Sequence, residues 1–397
     1  MPNLSSLTEH DTATNVVVFI ADSLRFDYLP SSVSDCGITA RTIAPSTYTA
    51  TSIPSMMTGR YPANHRVWSF NDVLSDQPEL FKYQNTGMDL RDIWIHIDDP
   101  AQKAPNRILG LENQETIEEA ETPFTVVVHD RGAHSPYDYF NIEFETSLEY
   151  FKHYAGQDQA LREEYAKAAA STADRFFEVV ELLKDRGVFD DTLVIFTSDH
   201  GELLGERDRG GLYAHGSPVC PELVEVPTVF AGCGLPEGET YTSLISGTDI
   251  APTALGAQNR MIPKGIDGVD LWNDESSPDR IIRSDFWANA GRVQYGASSA
   301  WNKDGGIVQH HGTAPERLLF ATHRKLYKGT QAAANRRKDP RAILRFLSTY
   351  GKDELIYGSP DVSRARSAVL SSFEQETRQT DVEELSKDQL RALGYIE

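Results

Sequence analysis

The chain has 397 residues, 40% of them hydrophobic and 24% charged, with 28 Gly and 20 Pro. That is globular composition, long enough for one large α/β unit with an appendage or for two to three domains. Acidic residues outnumber basic ones 59 to 38, a formal net charge of -21, which excludes a nucleic-acid binder driven by phosphate neutralisation and an anionic membrane surface as partner.

Only 12 of the basic residues are Lys and 26 are Arg. A carboxylate-rich, Lys-poor surface of this halophilic type suits a protein kept soluble in concentrated salt. Cys36, Cys220 and Cys233 are too few for a disulfide framework and form no close CxxC pair. Residues 1–14 read as a polar leader without the basic and apolar regions of an export signal. No run approaches the ~18 apolar residues of a membrane span. The expectation is a soluble, cytoplasmic protein.

After the leader, Asn15 to Ala21 (NVVVFIA) is a continuous apolar run rich in β-branched residues, the pattern of a strand buried on both faces in a parallel sheet. Phe124–His129 and Thr192–Thr197 look alike, and Val226–Ala231 is a weaker fourth. Residues 77–121 are polar and yield no clear elements. From Gln159 to Arg186 apolar residues recur at helical spacing, and Gly187 stops the pattern. Thr248–Leu255 reads as a short helix despite Pro252. From Ser276 the pattern weakens: strands are expected near Ile281–Phe286 and Leu318–Tyr327, a helix over Lys338–Leu347, and a polar, mobile surface segment over 359–385. The domain reading is the leader, a catalytic α/β domain over 15–275 and a C-terminal subdomain over 276–397.

The first three strands each end in an acidic residue, Asp22, Asp130 and Asp199. Open α/β sheets bind ligands outside the carboxyl ends of their strands. Asp130 and His134 flank a tight turn helped by Gly132, Asp199 and His200 are adjacent, and His215 follows in a loop punctuated by Gly210, Gly211 and Gly216. Carboxylate and imidazole together suit Zn, Mn or Fe. Two such ions about 4 Å apart would clamp both oxygens of an in-line displacement. Read blandly, each strand-end Asp is a helix cap or turn former. His129, inside an apolar run, reads as structural. Pro45 to Pro62 carries many hydroxyls before a short helix that Gly59 ends. These are either caps or include a nucleophile at a helix N-terminus, where an anion is favoured. Composition does not choose the hydroxyl.

Asn15–Leu29 (NVVVFIADSLRFDYL) resembles the opening strand and metal turn of the sulfatase-like enzymes of the alkaline phosphatase superfamily. Thr49–Pro62 (TATSIPSMMTGRYP) resembles their nucleophile segment, Tyr165–Glu202 their long helix and the strand entering an Asp-His-Gly-Glu motif. Ile245–Leu271 and the ending Leu390–Glu397 (LRALGYIE) are similar too. The resemblance implies an alkaline-phosphatase-like three-layer α/β sandwich with a central, mostly parallel sheet and a smaller C-terminal subdomain. It implies Thr49 as nucleophile, Asp22, Asp199 and His200 around one divalent ion, and Asp130, His134 and His215 around a second. Zn or Mn is expected, with Ca or Fe also compatible. Arg25 and Arg131 are the cations implied to meet a substrate anion; Arg60 resembles a position that is usually structural, and Asp27 and Asp249 resemble braces.

One departure matters. Arylsulfatases carry a Cys or Ser that becomes formylglycine within a Cys/Ser-x-Pro-x-Arg motif, whereas Thr49 is followed by Thr51 and Ile53. A Thr cannot yield that aldehyde. The expected activity is therefore metal-dependent hydrolysis of a small anionic, phosphate-type ester (phosphodiester, phosphonate or phosphomonoester) through a covalent intermediate on Thr49. Sulfate-ester hydrolysis, phosphoryl transfer to an alcohol and a non-catalytic binding protein are the alternatives. Oligomeric state is not legible.

Overall fold

The apolar run at 15–21 is buried along its whole length because it lies at the centre of a sheet covered on both faces. The computed structural model describes residues 2–91, 94, 97–137, 144, 146–290, 293–323 and 340–371. Its strands are β1 (Asn15–Ala21), β2 (Ile38–Ile43), β3 (Thr86–Arg91), β4 (Thr125–Asp130), β5 (Thr192–Thr197), β6 (Leu203–Leu204), β7 (Tyr213–Ala214), β8 (Glu225–Gly232) and β9 (Glu239–Ser246). Four more follow: β10 (Ile282–Ala290), β11 (Val293–Asn302), β12 (Gly305–His310) and β13 (Glu354–Gly358). The large sheet has the order β3-β4-β1-β5-β8-β2-β9. Only β8 runs against its neighbours, so the sheet is mostly parallel as expected, and the Val226–Ala231 run is its antiparallel member.

Side chains of successive strand residues point to opposite faces. Along β1, Val16, Val18 and Ile20 enter one core with Ala50, Ile53 and Met56 of the Thr49–Thr58 helix. Val17, Phe19 and Ala21 enter the other with Leu161, Tyr165, Phe176 and Val179 of the Asp158–Asp185 helix. Two apolar faces on one strand leave no polar position, which is why the run reads as unbroken rather than alternating. Helices above and below the sheet make the three layers of an alkaline-phosphatase-like sandwich. The polar segment before β1 packs on the body of the molecule: Leu4 is fully buried, its N–H bonds the Leu271 carbonyl at 2.9 Å, and the Trp272 indole bonds the Asp11 carbonyl at 3.0 Å.

The C-terminal part is a separate antiparallel sheet, β10-β11-β12-β13. Where a strand was expected near Leu318, the chain forms the helix Ala314–Ala321, started by a Thr313–Glu316 capping box. The expected helix is present as Pro340–Gly351. Within the segment read as mobile, Val362–Ala368 is helical and packs Ala365 against Ala300 and Ile307; residues 372–385 and the LRALGYIE ending lie outside the described residues. The sheet and its helix reach the rest of the molecule: the Asp285 N–H of β10 bonds the Pro45 carbonyl at 2.9 Å, and the Tyr350 hydroxyl of the Pro340–Gly351 helix meets Ser217 Oγ at 3.0 Å.

The core facing the long helix is pinned by Phe176, whose ring lies 5.4 Å from Phe19 and 5.0 Å from Phe196. Phe176→Ala is expected to lower unfolding free energy by about 3–5 kcal/mol in a urea titration, because the cavity between two strands and a rigid helix cannot collapse.

Candidate metal and nucleophile site

Strand register sets the site. Ile20 of β1 pairs with both His129 of β4 and Thr197 of β5, so the residues just beyond these strands lie side by side at one sheet edge. Asp22 leaves β1 into a turn in which Ser23 has a φ of 63°, a conformation a serine adopts only when its surroundings hold it there. The surroundings are specific. Tyr165 of the long helix donates its hydroxyl to the Ser23 carbonyl at 2.6 Å and accepts the Arg25 N–H at 2.9 Å. Gly132 runs so close to the Asp22 backbone that a Cβ there would sit 2.3 Å from Asp22 N.

Asp22, Asp199 and His200 present ligand atoms that all lie within 4.8 Å of one another, and each of the three residues is fully buried. Each carboxylate has one anchored oxygen and one bare one. Asp22 Oδ1 accepts from the Ser23 hydroxyl at 2.8 Å, and Asp199 Oδ1 accepts the N–H groups of Ser23 and His200 at 3.1 and 3.0 Å. Asp22 Oδ2 and Asp199 Oδ2 are buried without a hydrogen bond. Burial and the neighbouring Asp22 charge push the Asp199 carboxyl up. Burial also acts to raise Asp22, but His134, His129 and His200 around it prevail and hold it well below the usual carboxylate range. Two buried carboxylates with bare, converging oxygens are a stable arrangement only with a cation between them. The donor set fits a divalent metal.

His200 Nδ1 lies 2.9 Å from the Gly201 carbonyl, an acceptor only, so that nitrogen carries the proton and Nε2 offers its lone pair. Thr49 Oγ1 sits 3.0 Å from this Nε2. The structure thus distinguishes among the hydroxyls of 45–62. Ser52 bonds the Ser46 carbonyl, Ser55 the Thr51 carbonyl and His65, and Thr58 the Pro54 carbonyl. Thr49 is the one whose hydroxyl bonds a member of the Asp22–Asp199–His200 group. It is also the first residue of the ten-residue helix Thr49–Thr58, whose positive end favours an approaching anion.

His134 and His215 join the same centre. The His215 ring lies 4.4 Å from that of His200 and 5.4 Å from that of His134. Burial pulls the His134 imidazole down to about 3, with His215, Arg131 and His200 adding to the effect against Asp22, so it is neutral at pH 7. His215 Nδ1 faces Glu202 Oε2 at 3.3 Å, a fully buried carboxylate of the Asp-His-Gly-Glu turn.

Asp130, Arg25 and Arg131 each already hold protein partners. Asp130 faces the opposite side of the sheet: Arg175 of the long helix holds both its oxygens at 2.7 Å, and Oδ1 also accepts the Gly132 N–H at 2.7 Å. Its carboxylate thus ties the sheet to the long helix. Arg25 pairs with Asp27 at 2.7 Å and Glu206 at 2.6 Å and also donates to the Glu202 carbonyl at 3.2 Å. Arg131 is buried near His134 and donates to the Ser135 carbonyl at 3.0 Å. Asp249 braces as expected, taking the N–H groups of Ser246 and Val269 and pairing with Arg280. Sequence reasoning missed Ser23, Tyr165, Arg175 and Glu202. Of these only Glu202 had a signal, its place within the motif.

Asp130→Asn is expected to destabilise the fold by about 3–5 kcal/mol in chemical denaturation, because it leaves Arg175 unpaired, while metal content stays that of the wild type.

The Sulfatase family profile matches residues 97–259. The low-salt glycan biosynthesis sulfotransferase Agl7 of Haloferax volcanii is 38% identical over 405 residues, spanning 99% of each chain. An ulvan-active sulfatase of Formosa agariphila is 32% identical over 123 residues, 30% of this chain and 24% of that one. Among solved structures, the phosphonate monoester hydrolase of Agrobacterium radiobacter shares the fold with a TM-score of 0.57 at 15% identity, covering 86% of this chain and 96% of that one. Among the described residues no helix is long and apolar enough to cross a membrane. With a relative aligned from end to end, the chain belongs to the sulfatase family, enzymes of the alkaline phosphatase superfamily that use divalent metals.

Proposed function

We propose that this enzyme cleaves a small anionic ester of the phosphate or sulfate type by transferring its acid group to Thr49. The observation that carries the reading is the Thr49 Oγ1 contact of 3.0 Å with His200 Nε2, beside two buried carboxylates with bare oxygens. Asp22, Asp199 and His200 would hold one divalent ion; with Asp130 committed to Arg175, one ion rather than two is the reading the side chains support. Bound there, such an ion lowers the pKa of a neighbouring hydroxyl and neutralises charge on the ester's non-bridging oxygens.

Thr49 Oγ1 forms the new bond to phosphorus or sulfur, and the bond to the leaving oxygen breaks opposite it. The hydroxyl proton passes to solvent, and the leaving oxygen takes a proton from His215, which Glu202 orients through Nδ1. Arg131, buried beside His134, adds positive charge to the site. Water then attacks the phospho- or sulfo-threonine: its oxygen bonds phosphorus or sulfur, one of its protons returns to His215, and the bond to Thr49 Oγ1 breaks as that oxygen regains a proton from solvent. The formylglycine route is closed to a threonine, so the covalent intermediate is an ordinary ester.

Thr49→Ala is expected to reduce turnover of aryl phosphate, phosphonate and sulfate esters by about a thousandfold or more, with Thr49→Ser retaining part of it. Equal rates for Thr49→Ala and wild type across that panel would overturn the assignment.

A second reading is favoured by one finding, the 38% identity along 99% of both chains with a relative named as a sulfotransferase. In it, a sugar hydroxyl replaces water in the second step and receives a sulfuryl group. Incubation with a sulfated aryl donor and a sugar acceptor separates the two: a sulfated acceptor in excess over free sulfate supports transfer, and free sulfate alone supports hydrolysis.

A further inference from the structure

His129 occupies a position where an apolar residue is expected. Its neighbours Val126, Val127 and Val128 are fully buried in the two cores, and His129 itself has no exposed surface. Neither ring nitrogen has a hydrogen bond. Leaving a buried polar group unpaired costs roughly 1–3 kcal/mol, which a valine at this position would avoid. Asp22 Oδ2 faces the ring, 3.4 Å from His129 Nε2 and itself without a hydrogen bond.

Strand parity explains the contact. Val127 enters the core that holds the Thr49 helix, whereas Val126 and Val128 enter the core of the long helix. His129 follows Val127 and so lies on the Thr49 side, in register with Ile20 two residues before Asp22. Asp130 follows Val128 to the far side and meets Arg175. The two residues at the end of β4 have exchanged the roles that their chemistry alone suggests.

We infer that His129 is a positioning residue of the metal site, an N–H donor that fixes the bare oxygen of Asp22 toward the ion. This rests on the proposed reading of Asp22, Asp199 and His200 as ligands. Carboxylates that bind metals are themselves held by hydrogen bonds, and loss of such a partner weakens metal affinity by about tenfold to a hundredfold. A histidine that merely filled space would have no such effect.

The test titrates Mn²⁺ into the metal-stripped full chain by calorimetry, for wild type, His129→Met, His129→Gln and Asp199→Asn. Met fills the volume without a donor, and Gln returns an N–H near the place of Nε2. The inference expects His129→Met to bind about tenfold to a hundredfold more weakly than wild type, and His129→Gln to recover most of that loss. It is overturned if His129→Met binds like wild type, or if folded His129→Gln binds no better than His129→Met, which would mark the histidine as packing. Failure of the underlying site looks different: wild type takes up no ion, or Asp199→Asn binds as tightly as wild type, and the inference falls with it.

Discussion

The centre of this molecule is a repulsion. Asp22 and Asp199 are fully buried, and each aims an oxygen without a hydrogen bond at the same small space. His129 and His200 beside them relieve part of that charge. What holds them in place is backbone: the strained turn at Ser23 directs an N–H to Asp199 and a hydroxyl to Asp22, and Tyr165 locks the turn from the long helix. The cost of ordering two carboxylates this way is recovered when a cation enters. The rest of the site is arranged around the same point, with His200 contributing a lone pair and Thr49 a hydroxyl at the positive end of its helix.

The three layers exist to hold that point still. β1 and β5 end side by side in the sheet, so two chain segments 176 residues apart meet through strand register rather than through a flexible loop. The C-terminal part supports the same region: β10 bonds the Pro45 carbonyl just before the Thr49 helix, and Tyr350 of the Pro340–Gly351 helix meets Ser217 just after His215.

Much of this was legible. Unbroken β-branched runs marked β1, β4 and β5, because a strand buried on both faces keeps no polar positions. The acidic residues at two of their ends, Asp22 and Asp199, meet at one end of the sheet, and the hydroxyl that the Thr49–Pro62 resemblance points to lies against His200. What failed was parity. Read as a string, Asp130 looks like Asp22 and Asp199, yet it lies on the other face of the sheet, and only the strand register and the distant Arg175 reveal this. His129 was passed over for the same reason. β3 escaped detection because an edge strand such as Thr86–Arg91 carries polar residues, and the helix at Ala314–Ala321 was misread because its apolar residues are too few to separate the two periods.

The account stands or falls on a cation between the two carboxylates. Crystals of the full chain soaked in Mn²⁺ and measured at the manganese absorption edge test this directly. The account predicts one strong anomalous peak within bonding distance of Asp22 Oδ2, Asp199 Oδ2 and His200 Nε2, with Thr49 Oγ1 beside it and no peak at Asp130. An ordered site without a peak, or a peak coordinated by Asp130 in place of Asp22 or Asp199, would contradict it.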